Sequence, residues 1–179
     1  DEYIFLIFVT PVGPYYKGGI HPVKALIATE FDRAAPDGVG DCKVGGNYAA
    51  GLAAAKYGYE KGYPVVLHLD PKEKRFIDEF STSNFIGIKG NTYVTPKSKS
   101  ILPSITNDSL SIIARDLGMK FERRPIDVAE LPEFSEIGAV GTAAVVTPVT
   151  TVHYKGKNLR FGSEKEAGPV ITKLYNTLT

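Results

Sequence analysis

The sequence predicts an α/β domain of the mixed α+β kind, in which a mixed sheet carries a few helices. Three observations support this. Short runs rich in β-branched and aromatic residues recur along the 179-residue chain, the signature of strands. Three longer stretches read as helices. The two types are interspersed, with no internal repeat, low-complexity segment or clear interior linker to divide the chain.

Each element has its own reason. Tyr3 to Thr10 is β-branched and aromatic, and a buried strand is expected there. Residues 11 to 22 hold several Gly and Pro and read as loop, followed by a second strand over Val23 to Thr29. Asn47 to Gly62 reads as a helix, with Asn47 a suitable cap, small alanines for close packing and Gly62 as terminator. Val65 to Leu69 suits a buried strand. Arg75 to Phe80, Phe85 to Lys89 and Thr92 to Thr95 suggest antiparallel strands, with Lys89-Gly90-Asn91 as a turn. A second helix is expected from Pro103–Thr106 to Gly118, with Leu110, Ile113, Ala114 and Leu117 on one face. Lys120 to Ile126 reads as a strand, and Val128 to Phe134 as a short helix interrupted by Pro132. Ile137 to Val146 alternates glycines with apolar residues, and Val152 to Phe161 reads as a hairpin around Lys155-Gly156-Lys157. Glu164 to Leu178 is expected to form a last helix, with Pro169 in its first turns.

The totals narrow the partners. A chain this long, 43% apolar, can bury a substantial core. A formal net charge of +1 gives no strongly basic face, so no nucleic-acid or membrane-surface partner is expected. One cysteine excludes an internal disulfide framework and fits a reducing compartment, so a cytoplasmic location is expected. No apolar run approaches the roughly 18 residues needed to span a bilayer. His21, His68 and His153 share no ligand spacing with one another or with Cys42, so no metal is expected. The chain starts at Asp1, runs straight into a hydrophobic stretch and has Met119 as its one methionine, so it reads as a piece of something longer.

The most informative stretch is Asp41-Cys42-Lys43-Val44-Gly45-Gly46-Asn47-Tyr48-Ala49-Ala50. It sets a lysine just before two glycines and a helix start. Glycines let another molecule approach the backbone closely, and a lysine amine that has lost its proton can form an imine with an aldehyde. The plainer alternative is a solvent-facing lysine in a Gly-rich turn. Val44-Gly45-Gly46-Asn47 has the wrong glycine spacing for a dinucleotide fingerprint, and Cys42 reads as a small packed side chain.

This stretch resembles the cofactor-lysine segment of branched-chain amino-acid aminotransferases, fold-type IV enzymes dependent on pyridoxal 5'-phosphate. Four further segments recur in the family's order: Ile77 to Phe85, Ser100 to Asp108, Gly141 to Val149, and Gly168-Pro169. The resemblance covers nearly the whole chain. It implies a sheet curling into a partial barrel with helices outside. Residues 1–20 would be a strand and connection leading out of a small N-terminal domain, and residues 21–179 the cofactor-binding large domain.

The resemblance also implies roles. Lys43 would hold the cofactor and, once displaced by the substrate amine, move a proton between Cα and the cofactor carbon. Glu79 would face the pyridine nitrogen and keep it protonated, so that the ring accepts electrons; its alternative is a solvated acid at a strand end beside Asp78. Tyr48 would hydrogen-bond the phenolate oxygen, or else be a core aromatic on its helix. Thr82 would sit near the amine and ring. The phosphate would lie at converging N–H groups, Ile105 and Thr106 forming one cradle and Gly141 and Thr142 the other; Thr106 also suits a helix cap. The backbone N–H groups of Thr142 and Ala143 would take the substrate carboxylate.

The implied reaction moves an amino group from leucine, isoleucine or valine to 2-oxoglutarate, in a homodimer with active sites near the interface. A D-amino-acid aminotransferase, an aminodeoxychorismate lyase, or a non-catalytic domain keeping the fold are the alternatives. The family's small domain, with its phosphate-binding arginine, has no counterpart here, so weak cofactor retention and little or no activity are expected of this chain alone. Ser81 and Ser104 stand where many members carry glycine, and Ala144 and Thr147 where animal members have a Cys-x-x-Cys pair.

Overall fold

The computed structural model describes residues 2–11 and 19–179. Among these the strands are β1 (Val23–Ile27), β2 (Val65–Leu69), β3 (Ile77–Phe80), β4 (Ser83–Lys89), β5 (Thr92–Pro96), β6 (Lys120–Arg124), β7 (Glu136–Gly141), β8 (Val145–Tyr154) and β9 (Lys157–Arg160). The helices are α1 (Gly45–Glu60), α2 (Ile105–Asp116) and α3 (Pro169–Leu178), with a 3-10 segment at Val128–Glu133.

The sheet closes on itself. Its order is β3-β2-β1-β8-β7-β4, and β3 pairs with β4 through Glu79 opposite Asn84 and Phe80 opposite Ser83. β1 runs parallel to both β2 and β8, and the other contacts around the ring are antiparallel. β5 and β6 branch from the second half of β4, and β9 folds back on β8. The expected partial barrel is therefore a closed six-strand barrel with a two-strand arm.

All six strands contribute to one apolar cluster, including Ile27, Leu67, Ile77, Phe80, Phe85, Ile137 and Val152. Alternate residues face outward, as the period of a strand requires. There Ile86, Ile88, Val140 and Val146 meet Leu110 and Ala114 of α2 and Ile171 and Leu174 of α3. On another side Ala54 of α1 packs on Leu26, Ala28 and Val66. Helices outside and aliphatic layers inside follow from burying one face of each element.

The differences from the sequence reading have physical causes. Tyr3 to Thr10 is not a strand: it is without regular structure, and Tyr3 to Val9 are 74–98% exposed. An apolar run reports a need for burial, while a strand needs a partner, and none pairs with it among the described residues. Within the loop expected over residues 11 to 22, residues 12–18 lie outside the described ones. Asn47 does not cap α1; Val44 occupies that position and Asn47 turns its side chain to the preceding loop. Ser104, not Thr106, caps α2, accepting from the Asn107 N–H at 3.2 Å. The last helix starts at Pro169 rather than Glu164, because Gly168 is held extended before the proline. The carboxylate of Glu136 takes the place of a side-chain cap there, accepting from the N–H groups of Val170 (3.0 Å) and Ile171 (2.8 Å). No helix among the described residues is long and apolar enough to cross a membrane.

Candidate functional site

Lys43 lies on the loop between β1 and α1, exposed to solvent. The amide of Asn47 clasps that loop from the first turn of α1, donating to the carbonyls of Val39 (2.7 Å) and Cys42 (2.9 Å). Gly40 presses against the loop before α2, where a Cβ would overlap the Ser100 carbonyl oxygen. Only glycine fits so close an approach. Lys43 follows three residues later, so its Cα is within about 11 Å of this contact.

Arg33 ties the contact to Glu79. Its guanidinium is buried and donates through Nη2 to the carbonyls of Gly40 (3.0 Å) and Ser100, while the same nitrogen lies 3.0 Å from Glu79 Oε1. Leu102 N–H also donates to Oε1 (3.2 Å), and Asn84 Nδ2 donates to Oε2 (2.6 Å). One cation and one carboxylate thus join the Lys43 loop, the β3–β4 rung and the segment that enters α2.

Glu79 is 3% exposed. Burial pushes its carboxyl up to about 7, against the opposing pull of Arg33, the Leu102 N–H and the Asn84 amide. An ionised carboxylate offers about four acceptor positions. Three are used, which leaves one on Oε2 for a further N–H. The sequence expectation of a solvated acid is thereby excluded. Asp78 beside it is also buried, and burial raises its carboxyl too.

The other expected residues fall into three groups. Tyr48 stands one turn into α1, and the Lys43 amine sits 5.8 Å from its ring centroid, within cation–π range. It is 42% exposed, so it is not a core aromatic. Thr82 lies in the β3–β4 turn against Gly141, where a Cβ would come within 3.8 Å of the Thr82 carbonyl oxygen. Gly141 ends β7, and Thr142 and Ala143 follow in an exposed turn. Val145, just after that turn, holds a φ of 58°, a strained conformation for a β-branched residue. Ile105 and Thr106 open α2, where helix geometry leaves their N–H groups without an intrahelical acceptor. Ser104 does not crowd this end, since its hydroxyl is committed to the cap.

A cleft of about 170 Å³ lies along α2, bounded by Asn84, Leu102, Ser104, Asn107 and Arg123 among others. Neither Lys43 nor Tyr48 lines this cleft, and both are exposed to solvent.

Sequence reasoning missed Arg33, whose partner is 46 positions away and whose surroundings look like an ordinary loop. It gave no role to Asn84, although the residue lies in a recognised segment. Among the described residues no group of three His, Cys, Asp or Glu could hold a metal ion. Cys42 is exposed rather than packed; its Sγ donates to Asp41 Oδ1 (3.5 Å), and that hydrogen bond and the Asp41 charge raise the thiol.

A family model described as "Amino-transferase class IV" matches residues 2–152. The branched-chain-amino-acid aminotransferase of Haemophilus influenzae is 48% identical over 185 residues, 99% of this chain and 54% of that protein. That of Helicobacter pylori is 45% identical, with 99% and 52% covered. The chain spans about half the length of the curated relatives it matches. Among solved structures, an Escherichia coli branched-chain amino acid aminotransferase superposes with a TM-score of 0.82 at 28% identity, covering 94% of this chain and 54% of that one. A T.th. branched-chain amino acid aminotransferase with pyridoxamine 5'-phosphate gives 0.79 at 28% identity, with 93% and 53% covered.

Proposed function

The chain belongs to the class IV aminotransferases, and from that premise we propose that it forms the cofactor-binding large domain of a pyridoxal 5'-phosphate-dependent branched-chain amino-acid aminotransferase. The amino group of leucine, isoleucine or valine would pass to 2-oxoglutarate. The observation that carries the reading is the Arg33–Glu79 junction, because it ties a buried carboxylate to the loop that bears Lys43.

The residues fit the cofactor's chemistry. Glu79 keeps one acceptor position for a protonated ring nitrogen, unpaired N–H groups open α2 for a phosphate, and Lys43 carries an unencumbered amine. When bound, the cofactor supplies an aldehyde carbon for amines and a ring that accepts electrons from the substrate Cα. Lys43 Nζ would hold that carbon and would move the proton at the substrate Cα. Glu79 Oε2 would keep a proton on the ring nitrogen. The Tyr48 hydroxyl would bond the phenolate oxygen, with Thr82 near the amine and ring. Ile105, Thr106, Gly141 and Thr142 would cradle the phosphate, and the N–H groups of Thr142 and Ala143 would take the substrate carboxylate.

Residues 1–20 lead out of a small N-terminal domain in this reading, and residues 21–179 are the large domain. The exposure of the Tyr3–Val9 side chains and of Lys43 supports it. We further propose a homodimer working in the cytoplasm; the single cysteine fits a reducing compartment.

The test is a visible-absorption titration with pyridoxal phosphate, on this chain and on the full-length protein. The full-length protein should give a band that Lys43→Ala abolishes, while this chain retains the cofactor weakly. Amino-transfer assays with leucine and D-alanine, and pyruvate release from aminodeoxychorismate, then assign the substrate. A folded full-length protein without a Lys43-dependent band would overturn the reading.

A further inference from the structure

His68 is the least expected residue of the barrel, a fully buried imidazole on β2, an otherwise aliphatic strand. Its Nε2 lies 2.9 Å from the Ser81 hydroxyl, and the Phe31 carbonyl is the other hydrogen-bonding group that acts on the ring. Ser81 is the first residue of the β3–β4 turn, and its N–H donates to the Val66 carbonyl at 3.0 Å. The turn is therefore moored to β2 twice, once through its backbone and once through a side chain. Glu79 stands two residues before Ser81, Thr82 immediately after, and the Thr82 carbonyl faces Gly141. Whatever holds Ser81 also sets the spacing of these groups.

Ser81 is one of the two serines that stand where many members of the family carry glycine. Its hydroxyl is committed to a buried imidazole. Burial first, and the charges of Arg33 and Lys74 next, hold that imidazole down to about 4, against smaller contributions from the Phe31 carbonyl and Asp32. The ring is thus neutral at working pH, and one nitrogen can serve the serine as donor or acceptor.

We propose that His68 and Ser81 are a positioning pair for the candidate site, the imidazole drawing the Ser81 hydroxyl into the protein and so fixing the turn that sets Thr82 between Glu79 and Gly141. This deepens the proposed function and rests on it. Neither residue touches the reacting atoms. Their effect is on how well the site is formed before the cofactor arrives.

The experiment is the pyridoxal phosphate titration of the full-length protein, read by the visible band, for His68→Phe, Ser81→Ala, the double variant and His68→Gln. Each single loss should weaken cofactor binding about fivefold, the factor for one neutral hydrogen bond. The double variant should be no weaker than either single one, since one bond is being removed twice. His68→Gln, which restores a polar group to reach Ser81, should recover most of the affinity, a recovery that bulk packing would not give. Circular dichroism confirms that each variant is folded, and Ser81→Ala serves where the histidine replacement disturbs the barrel. A wild-type band left within twofold by both single variants, or losses that add, would overturn this inference alone. A wild-type protein with no Lys43-dependent band would overturn it together with the proposed function.

Discussion

Glu79 and His68 titrate against each other. The folded chain holds a proton on Glu79 up to about 7, whereas the unfolded chain releases it near 4.5, so this group's contribution to stability falls as pH rises between those values. His68 does the reverse: folded it is neutral above about 4, unfolded it stays protonated up to 6.5, so its contribution rises with pH. Each slope corresponds to one proton, about 1.4 kcal/mol per pH unit. From about 4.5 to 6.5 the two cancel, with Arg33, Lys74, Asp32 and Asp78 as the other charged groups that act on them. Urea midpoints against pH should show it as a difference from wild type, with His68→Phe falling more steeply as pH rises and Glu79→Gln climbing. Arg33 has a different consequence. Arg33→Leu would leave Glu79 buried without its cation and release the carbonyls of Gly40 and Ser100, costing about 3–5 kcal/mol in urea unfolding. The sequence could not announce this residue, because a lone arginine in a loop looks the same whether it faces water or a buried acid.

At the element scale, Gly40, Gly58, Gly87 and Gly168 mark where one element is pressed against another. A Cβ at Gly168 would overlap the Glu136 carboxylate that caps α3. Gly168→Ala should therefore destabilise the fold by about 1–3 kcal/mol. Thermal unfolding gives the check: in a Glu136→Ala background the added alanine should cost much less, since the displaced group is gone. Gly168-Pro169 was legible as a motif and the helix after it was too, yet the capping glutamate 32 positions earlier was not. The same limit runs through the fold. β2, β4 and β5 were readable because short apolar runs bounded by Gly or Pro carry their own evidence. The candidate residues Lys43, Glu79 and Gly141 were proposed from segments in order. What joins them was not, since Asn47 folding the Lys43 loop back and Ser104 capping α2 are choices between neighbouring polar residues that only packing decides.

For the whole molecule, the decisive event is the pairing of β3 with β4, since that rung turns an open sheet into a ring. The rung is Glu79 opposite Asn84, the residues that also bond each other through their side chains. Occupying the site should therefore tighten the barrel as a unit, so that pyridoxal phosphate slows amide hydrogen exchange along β3 and β4 of the full-length protein while the β5–β6 arm changes little. Periodicity could not foretell closure, because it reports each strand's faces and not which two edges meet. The stretch from Tyr3 to Val9 matters in a different way. Seven consecutive large apolar side chains, uncharged and without proline, stand in water. Prepared by itself, this polypeptide should be sticky: light scattering should climb with concentration, and placing lysines at Phe5 and Ile7 should return it to clear solution.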